Sequence, residues 1–258
     1  MSELSGIYAL WYREFKVFLR ERSRVISSII NPLLWFFIIG GGLGASITQG
    51  YPMGYQTFIY PGILIQTALF SSIFFGVYIV WDKKIDFMKE VLVAPMSRTA
   101  ILIGKIFGGS TDTLIQIIIL LGIGVGLSFT GFLHIQFTAF SLLASVIILF
   151  ITTVGLCAIG LILGSQMESP EGFQLIISFL IFPMFFLSGA LFPITGLPAY
   201  LAPFVYFNPV TYAVDGLRAI LIGSKVARFN PWFDFMIISI FSIVMIFIGT
   251  YAFKKMKL

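Results

Sequence analysis

The sequence predicts an all-α polytopic membrane protein, and three observations lead there. Of 258 residues, 16 are Lys or Arg, 11 are Asp or Glu, and 59% are hydrophobic, whereas an ordinary soluble domain is about one-quarter charged. The apolar residues collect in six charge-poor stretches, each near the roughly 20 residues needed to cross a bilayer core. With six spans, all the basic residues except Arg218, Lys225 and Arg228 fall on one side. A water-soluble globule cannot cover so much apolar surface with so few charges. A soluble enzyme, a disordered chain and a nucleic-acid-binding module are therefore excluded.

Residues 1–28 form the first segment. Ile7, Leu10, Trp11, Phe15, Phe18 and Val25 share one helical face, and Arg13, Lys16, Arg20 and Arg24 line another. That pattern predicts a basic amphipathic helix over Ile7–Ile26, lying among lipid headgroups with its cations toward anionic lipid. The membrane domain covers 29–253, with spans near 29–48, 61–80, 110–129, 137–164, 170–190 and 231–253, and a tail at 254–258. The first span reads as an uncleaved signal-anchor, because it is too long and too far from the N-terminus for a secretory leader. Asn31-Pro32, Ser169-Pro170 and Asn230-Pro231 mark span starts, each pairing a capping side chain with a proline that lacks the N–H the first turn would leave unsatisfied. Pro183 falls inside the fifth span, where a kink is expected.

The spans are almost free of charge. Apart from Asp234 at the mouth of the sixth, only Asp112 qualifies, placed near the start of the third where a helix N-terminus would favour it. Ion-coupled transporters bury ionisable groups along their path, and that machinery is missing here. The three basic segments share one side only if the span count is even, and the positive-inside rule then places both termini in the cytoplasm.

Two connections carry more information than the spans. Residues 82–105, DKKIDFMKEVLVAPMSRTAILIGK, mix both charge signs with apolar residues. Phe87, Val91 and Leu92 fit one face of a short helix that stops near Pro95. From periodicity alone the segment reads equally as a helix that docks into a partner's groove or as a solvated linker that sets topology. Residues 191–225 are apolar yet broken by Pro193, Pro198, Pro203 and Pro209. No lipid-exposed span tolerates so many missing N–H groups, so two short re-entrant helices are expected, the second opened by Asn208-Pro209. Asp215 and Arg218 stand three apart and are expected to pair on its face.

Motifs for catalysis are lacking. There is no GxxxxGK[ST], HExxH or GxSxG, and one Cys (Cys157) with one His (His134) supplies no zinc site or disulfide. Glu168 and Glu171 favour the positive helix end beside Pro170. GxxxG spacings at Gly40/Gly44, Gly122/Gly126 and Gly160/Gly164 allow close helix contact.

The run WDKKIDFMKEVLVAPMSRTAILIGKIFGG (Trp81–Gly109) resembles the permease subunits of type-2 ABC exporters, especially the daunorubicin-resistance-type branch. So do YPG (Tyr60–Gly62), FLSGALFPITGLP (Phe186–Pro198), NPVTYAVDGLR (Asn208–Arg218) and Asn31-Pro32, in the family's order along nearly the whole chain. The chain departs from that pattern at Lys83-Lys84-Ile85-Asp86, where the family often has Arg-Glu and then Gly. The resemblance implies six helices, a second permease copy, and separate cytoplasmic ATPase subunits that bind the ATP, so that this chain needs no cofactor and catalyses nothing. It makes the segment around Glu90–Thr99 the coupling helix, with Phe87, Lys89, Glu90, Val91, Leu92, Pro95 and Arg98 as its contact set. It also makes Ile7–Arg24 the interfacial helix and 191–225 an outer re-entrant hairpin involving Gly189, Pro193, Pro198, Asn208, Pro209, Asp215 and Arg218. The cargo it implies is an amphipathic drug, lipid or glycan. A competing expectation from another class is an ATP-independent channel or small secondary transporter.

Overall fold

A computed structural model describes residues 3–44, 51 and 53–256; the ends of the expected first span (45–48) and of the tail (257–258) lie outside the described residues. Among the described residues the regular structure is entirely helical. Helix α1 spans Glu3–Arg20, and the chain breaks at Glu21 (φ −83°, ψ 65°) before α2 (Arg22–Trp35). The single 7–26 helix expected from periodicity is therefore two. Helix α2 continues into π-helical turns over Phe36–Leu43, and the two together make the first apolar span, Val25–Gly42. Asn31-Pro32 does not start this span but sits inside it. A membrane helix tolerates an interior proline where local π adjustments re-satisfy the freed backbone, and π-helical turns follow Pro32 over Phe36–Leu43.

Helix α3 (Tyr55–Phe74) and α4 (Val77–Lys84) form a second span, Tyr55–Lys84, which starts before the expected Pro61. Asp86, left-handed at φ 59°, turns the chain into α5 (Phe87–Val93). Asp tolerates that conformation because its short side chain bonds locally. Helix α5 ends where Ala94 is extended ahead of Pro95 (φ −60°, ψ 145°), the stop that the sequence signalled. Helix α6 then begins at Arg98 and runs to Phe129, capped by Ser97, whose side chain accepts from the Ala100 N–H. Much of the expected loop is thus helix. Asp112 consequently lies about 21 Å along α6, not in its first turn, and the helix-terminus explanation for it fails.

Helix α7 (Ala139–Gln166) starts on a capping box between Thr138 and Ser141. Ser169 and Asn230 cap α8 (Pro170–Phe186) and the last helix, α11 (Pro231–Lys255), each with proline just inside, as expected. Between them come two 3₁₀ turns, Ile194–Gly196 and Ala199–Leu201, then α9 (Ala202–Phe207) and α10 (Pro209–Leu221). Among the described residues five segments are long and apolar enough to cross a membrane, and α8 is a shorter apolar helix of 17 residues, about 26 Å long.

Helices α3, α7 and α10 supply most of the main core, which includes Leu64, Leu69, Leu149, Leu156, Ala213 and Leu217. Gly76, between α3 and α4, meets Gly160 and Gly164 of α7 so closely that a Cβ at any of the three would strike backbone. Of the three GxxxG spacings this one makes a backbone-to-backbone crossing. Gly40 and Gly44 rest against Ile59 and Gln56 of α3, while Gly122 and Gly126 face open space. A second, smaller core gathers Leu10, Met88, Val91, Leu102, Leu161 and Phe253 at the end of the bundle that carries α1 and α5. This is a multi-pass membrane protein.

Candidate functional site

The basic end of the bundle holds a buried charge cluster that ties four helices together. Lys105 of α6 has no solvent exposure, and its Nζ donates to Glu14 of α1 at 3.0 Å and to Asp82 of α4 at 2.6 Å. Arg13 closes the ring, reaching Glu14 at 2.7 Å and Asp82 at 3.0 Å. The Arg13 guanidinium also lies over the Phe87 ring of α5, 3.9 Å from its centroid. Two cations and two carboxylates leave the cluster neutral, which lets it exist with so little water. Separating any member would strand a buried charge, at a cost of roughly 3–5 kcal/mol. The interfacial reading of Arg13 therefore changes, because its head faces inward rather than toward lipid headgroups. Lys16 stacks on Tyr12 at 4.5 Å, Arg20 is exposed in the last turn of α1, and the Arg24 side chain lies outside the described residues.

The segments flanking α5 are clamped to helix ends. Lys83 Nζ donates to three carbonyls at the end of α7: Gly164 (3.2 Å), Ser165 (2.5 Å) and Met167 (3.1 Å). Arg98 does the same for α11 through the carbonyls of Phe253, Lys254 and Met256 at 2.9–3.1 Å. Each cation meets the negative end of a helix. Glu3 of α1 accepts from the Ser97 N–H and hydroxyl just ahead of Arg98. Between these clamps α5 turns Met88 and Val91 into the smaller core and leaves Lys89, Glu90 and Val93 outside. Val93 is 85% exposed, whereas Val91 is 7% exposed. The apolar docking face expected from Phe87, Val91 and Leu92 is thus corrected: Val91 supports α5 from beneath and Phe87 carries Arg13. Leu92 is half-buried, and Pro95 stays exposed.

The proline-rich segment lies at the opposite end of the bundle, where the Tyr55 hydroxyl donates to the Leu191 carbonyl at 2.9 Å. Gly189, at φ 80°, turns the chain out of α8. Its carbonyl accepts from Arg218 Nη2 at 2.9 Å, and the Arg218 guanidinium stacks 4.0 Å from the Phe58 centroid. Burial pushes the Arg218 pKa down to about 10, partly offset by Asp215, so it stays charged at neutral pH. Asp215 and Arg218 do not pair as expected. The Asp215 carboxylate instead accepts the N–H groups of Arg228 and Phe229 at 2.7–2.9 Å, tying the loop before α11 to α10. Asn208 caps α10 through Val210 and donates to the Met184 carbonyl of α8 at 2.6 Å, with Pro209 in the first turn. Pro193 and Pro198 each open one of the 3₁₀ turns.

Glu14 and Lys105 were missed as site residues. The signal was present: Glu14 sits four residues from both Leu10 and Phe18, which places a lone carboxylate on the apolar stripe of α1. Among the described residues no group of His, Cys, Asp and Glu is fit to hold a metal.

The profile of the ABC-2 type transporter family matches residues 5–222. The chain is 29% identical to the transport permease ycf38 of Cyanophora paradoxa, over 98% of this chain and 89% of that protein. It is 24% identical to the inner membrane transport permease YadH of Escherichia coli K12, covering 94% and 90% of the two chains. Identity to nodulation protein J of Rhizobium leguminosarum bv. viciae is 22%, over 85% and 83%. This helical bundle, matched by that profile over most of its length, belongs to the ABC-2 type transporter family and is a transport permease.

Proposed function

We propose that this permease is the membrane half of an ATP-driven exporter, with a second copy completing the path and a separate ATPase docking on the outer face of α5. The observation that carries the reading is the tie from α5 through Phe87 and Arg13 to the buried Glu14–Lys105–Asp82 cluster. A push on α5 reaches Arg13 through Phe87, and the charges around Arg13 cannot part without stranding one another. It is passed to α1, α4 and α6 together, and through Lys83 and Arg98 to the ends of α7 and α11.

Orientation follows the positive-inside rule, with the basic end and both termini cytoplasmic and α1 at the lipid interface. The cargo is an amphipathic drug, lipid or glycan. Co-purification of an ATPase whose turnover rises on assembly with this chain tests the reading. If this chain alone in liposomes conducts or moves cargo down an ion gradient, the exporter reading fails and a channel or secondary transporter replaces it.

A further inference from the structure

The proline-rich segment carries nearly all the charge of its end of the bundle. With six spans, the connections on that side are 49–60, 130–136 and 191–230, and their charged residues are Asp215, Arg218, Lys225 and Arg228. Asp215 and Arg218 are buried, so the exposed charges there, among the described residues, are Lys225 and Arg228, both positive. Arg228 lines a recess of about 150 Å³ beside the two 3₁₀ turns and α9, together with Thr195, Leu197, Ala202 and Tyr206. That is below the range of drug-sized sites. The recess admits one small group and not a whole amphiphile.

Arg228 is held in place without a counter-ion. The Asp215 carboxylate is occupied by the backbone N–H groups of Arg228 and Phe229, and among the described residues no carboxylate pairs with the guanidinium. Arg228 Nη2 donates to the Tyr206 hydroxyl. The guanidinium lies 5.4 Å from the Tyr206 ring centroid and 5.8 Å from that of Phe229. Tyr206 is itself tethered, because its carbonyl accepts from the Tyr212 hydroxyl at 2.8 Å. Having accepted from Arg228, the Tyr206 hydroxyl keeps its own proton to give, and Thr195 adds a second hydroxyl. None of the side chains lining the recess is acidic. A positioned guanidinium with hydroxyl donors beside it suits the oxygens of a phosphate.

The surroundings point to where that phosphate comes from. Phe204 and Phe207 of α9 are 62% and 93% exposed, and Tyr200 in the second 3₁₀ turn and Trp232, four residues after Arg228, are exposed as well. Exposed aromatic rings gathered around cations mark the headgroup level of a bilayer. We infer that the recess binds the phosphate of a membrane phospholipid in the adjacent leaflet, with Phe204 and Phe207 against its acyl chains. The lipid is a fixed partner that anchors 191–230 at the interface, not a cargo. The inference is independent of chain orientation and of what drives transport.

The test uses the full chain in maltoside micelles, titrated with dioctanoyl phosphatidylglycerol and followed by native mass spectrometry. A saturable adduct is expected, with a Kd that rises at least about tenfold in Arg228→Gln, the value of one hydrogen bond to a charged group. That variant keeps the backbone N–H that Asp215 holds, and its gel-filtration profile should match the parent's. Tyr206→Phe removes one donor and should weaken the adduct as well, while Arg228→Lys, which keeps the charge without the planar fork, should fall between. Lipid held at the basic helix α1 is untouched by these substitutions, so the difference reads the recess. Dioctanoylglycerol has the same chains without the phosphate and should form no such adduct. An adduct unchanged in both Arg228→Gln and Tyr206→Phe, or formed as tightly by dioctanoylglycerol, overturns the inference. Displacement by equimolar inorganic phosphate or glycerol 3-phosphate would identify a soluble anion as the ligand and overturn the lipid assignment.

Discussion

Lys105 is the side chain on which the basic end depends most. Removing its charge leaves Glu14 and Asp82 buried with only Arg13 between them. Lys105→Met is expected to destabilise the protein by roughly 3–5 kcal/mol, measured as thermal unfolding in detergent. Adding Glu14→Gln removes the surplus carboxylate and leaves Arg13 paired with Asp82, so the double variant should recover much of that loss. A single variant as stable as the parent would mean that the cluster is solvated in the membrane. Arg218 is a smaller case at the other end. Arg218→Lys keeps the charge but loses the planar stack on Phe58, and a cost of about 1–2 kcal/mol is expected from the cation–π and hydrogen-bond terms together. Tm of that variant against the parent reads it directly.

Helix α5 is seven residues long and could not hold its shape alone. Its position comes from its clamps. Val93→Asp changes only the exposed face, so it should abolish stimulation of the partner ATPase while leaving insertion and Tm near those of the parent. Normal stimulation would remove α5 from the docking role. Lys83→Met and Arg98→Met act differently: they free the ends of α7 and α11, so ATP turnover should continue with transport lost. Lys83→Arg restores a cation to the three carbonyls and should rescue most of that loss. The short helix and its stop at Pro95 were legible in the residues. Its facing was not, because seven residues give too few turns for periodicity to decide between Phe87/Val91/Leu92 and Met88/Val91 as the inner face.

The bundle as an assembly has two further consequences. The Gly76–Gly160–Gly164 crossing brings α4 and α7 to backbone contact, so Gly160→Leu must push the helices apart. It should give aggregated protein on gel filtration, whereas Gly122→Leu, facing open space, should not. Orientation is tested in intact cells with a membrane-impermeant maleimide, after replacing Cys157 by Ala. Cysteine in place of Ser224 should label from outside, and cysteine in place of Lys89 only after permeabilisation. The reverse pattern would invert the topology argued from the basic residues.

Hydropathy and charge placement alone were enough for the multi-pass membrane class, the capped starts of α8 and α11 and the breaking of 191–225 into short helical pieces. Each of these is set by short-range physics: insertion cost, orphan N–H groups and missing proline donors. Packing decided the rest. Asn31-Pro32 reads as a helix start by every local rule, yet it lies mid-helix, shortly before the π-helical turns over Phe36–Leu43. Asp215 and Arg218 are well spaced to pair, but each found partners from distant parts of the chain. Arg13 and Lys105 look like topogenic surface cations, and only the tertiary fold brings Glu14 and Asp82 from α1 and α4 to meet them. A buried charge takes whichever opposite charge lies within reach, and that reach is measured in space, not along the chain.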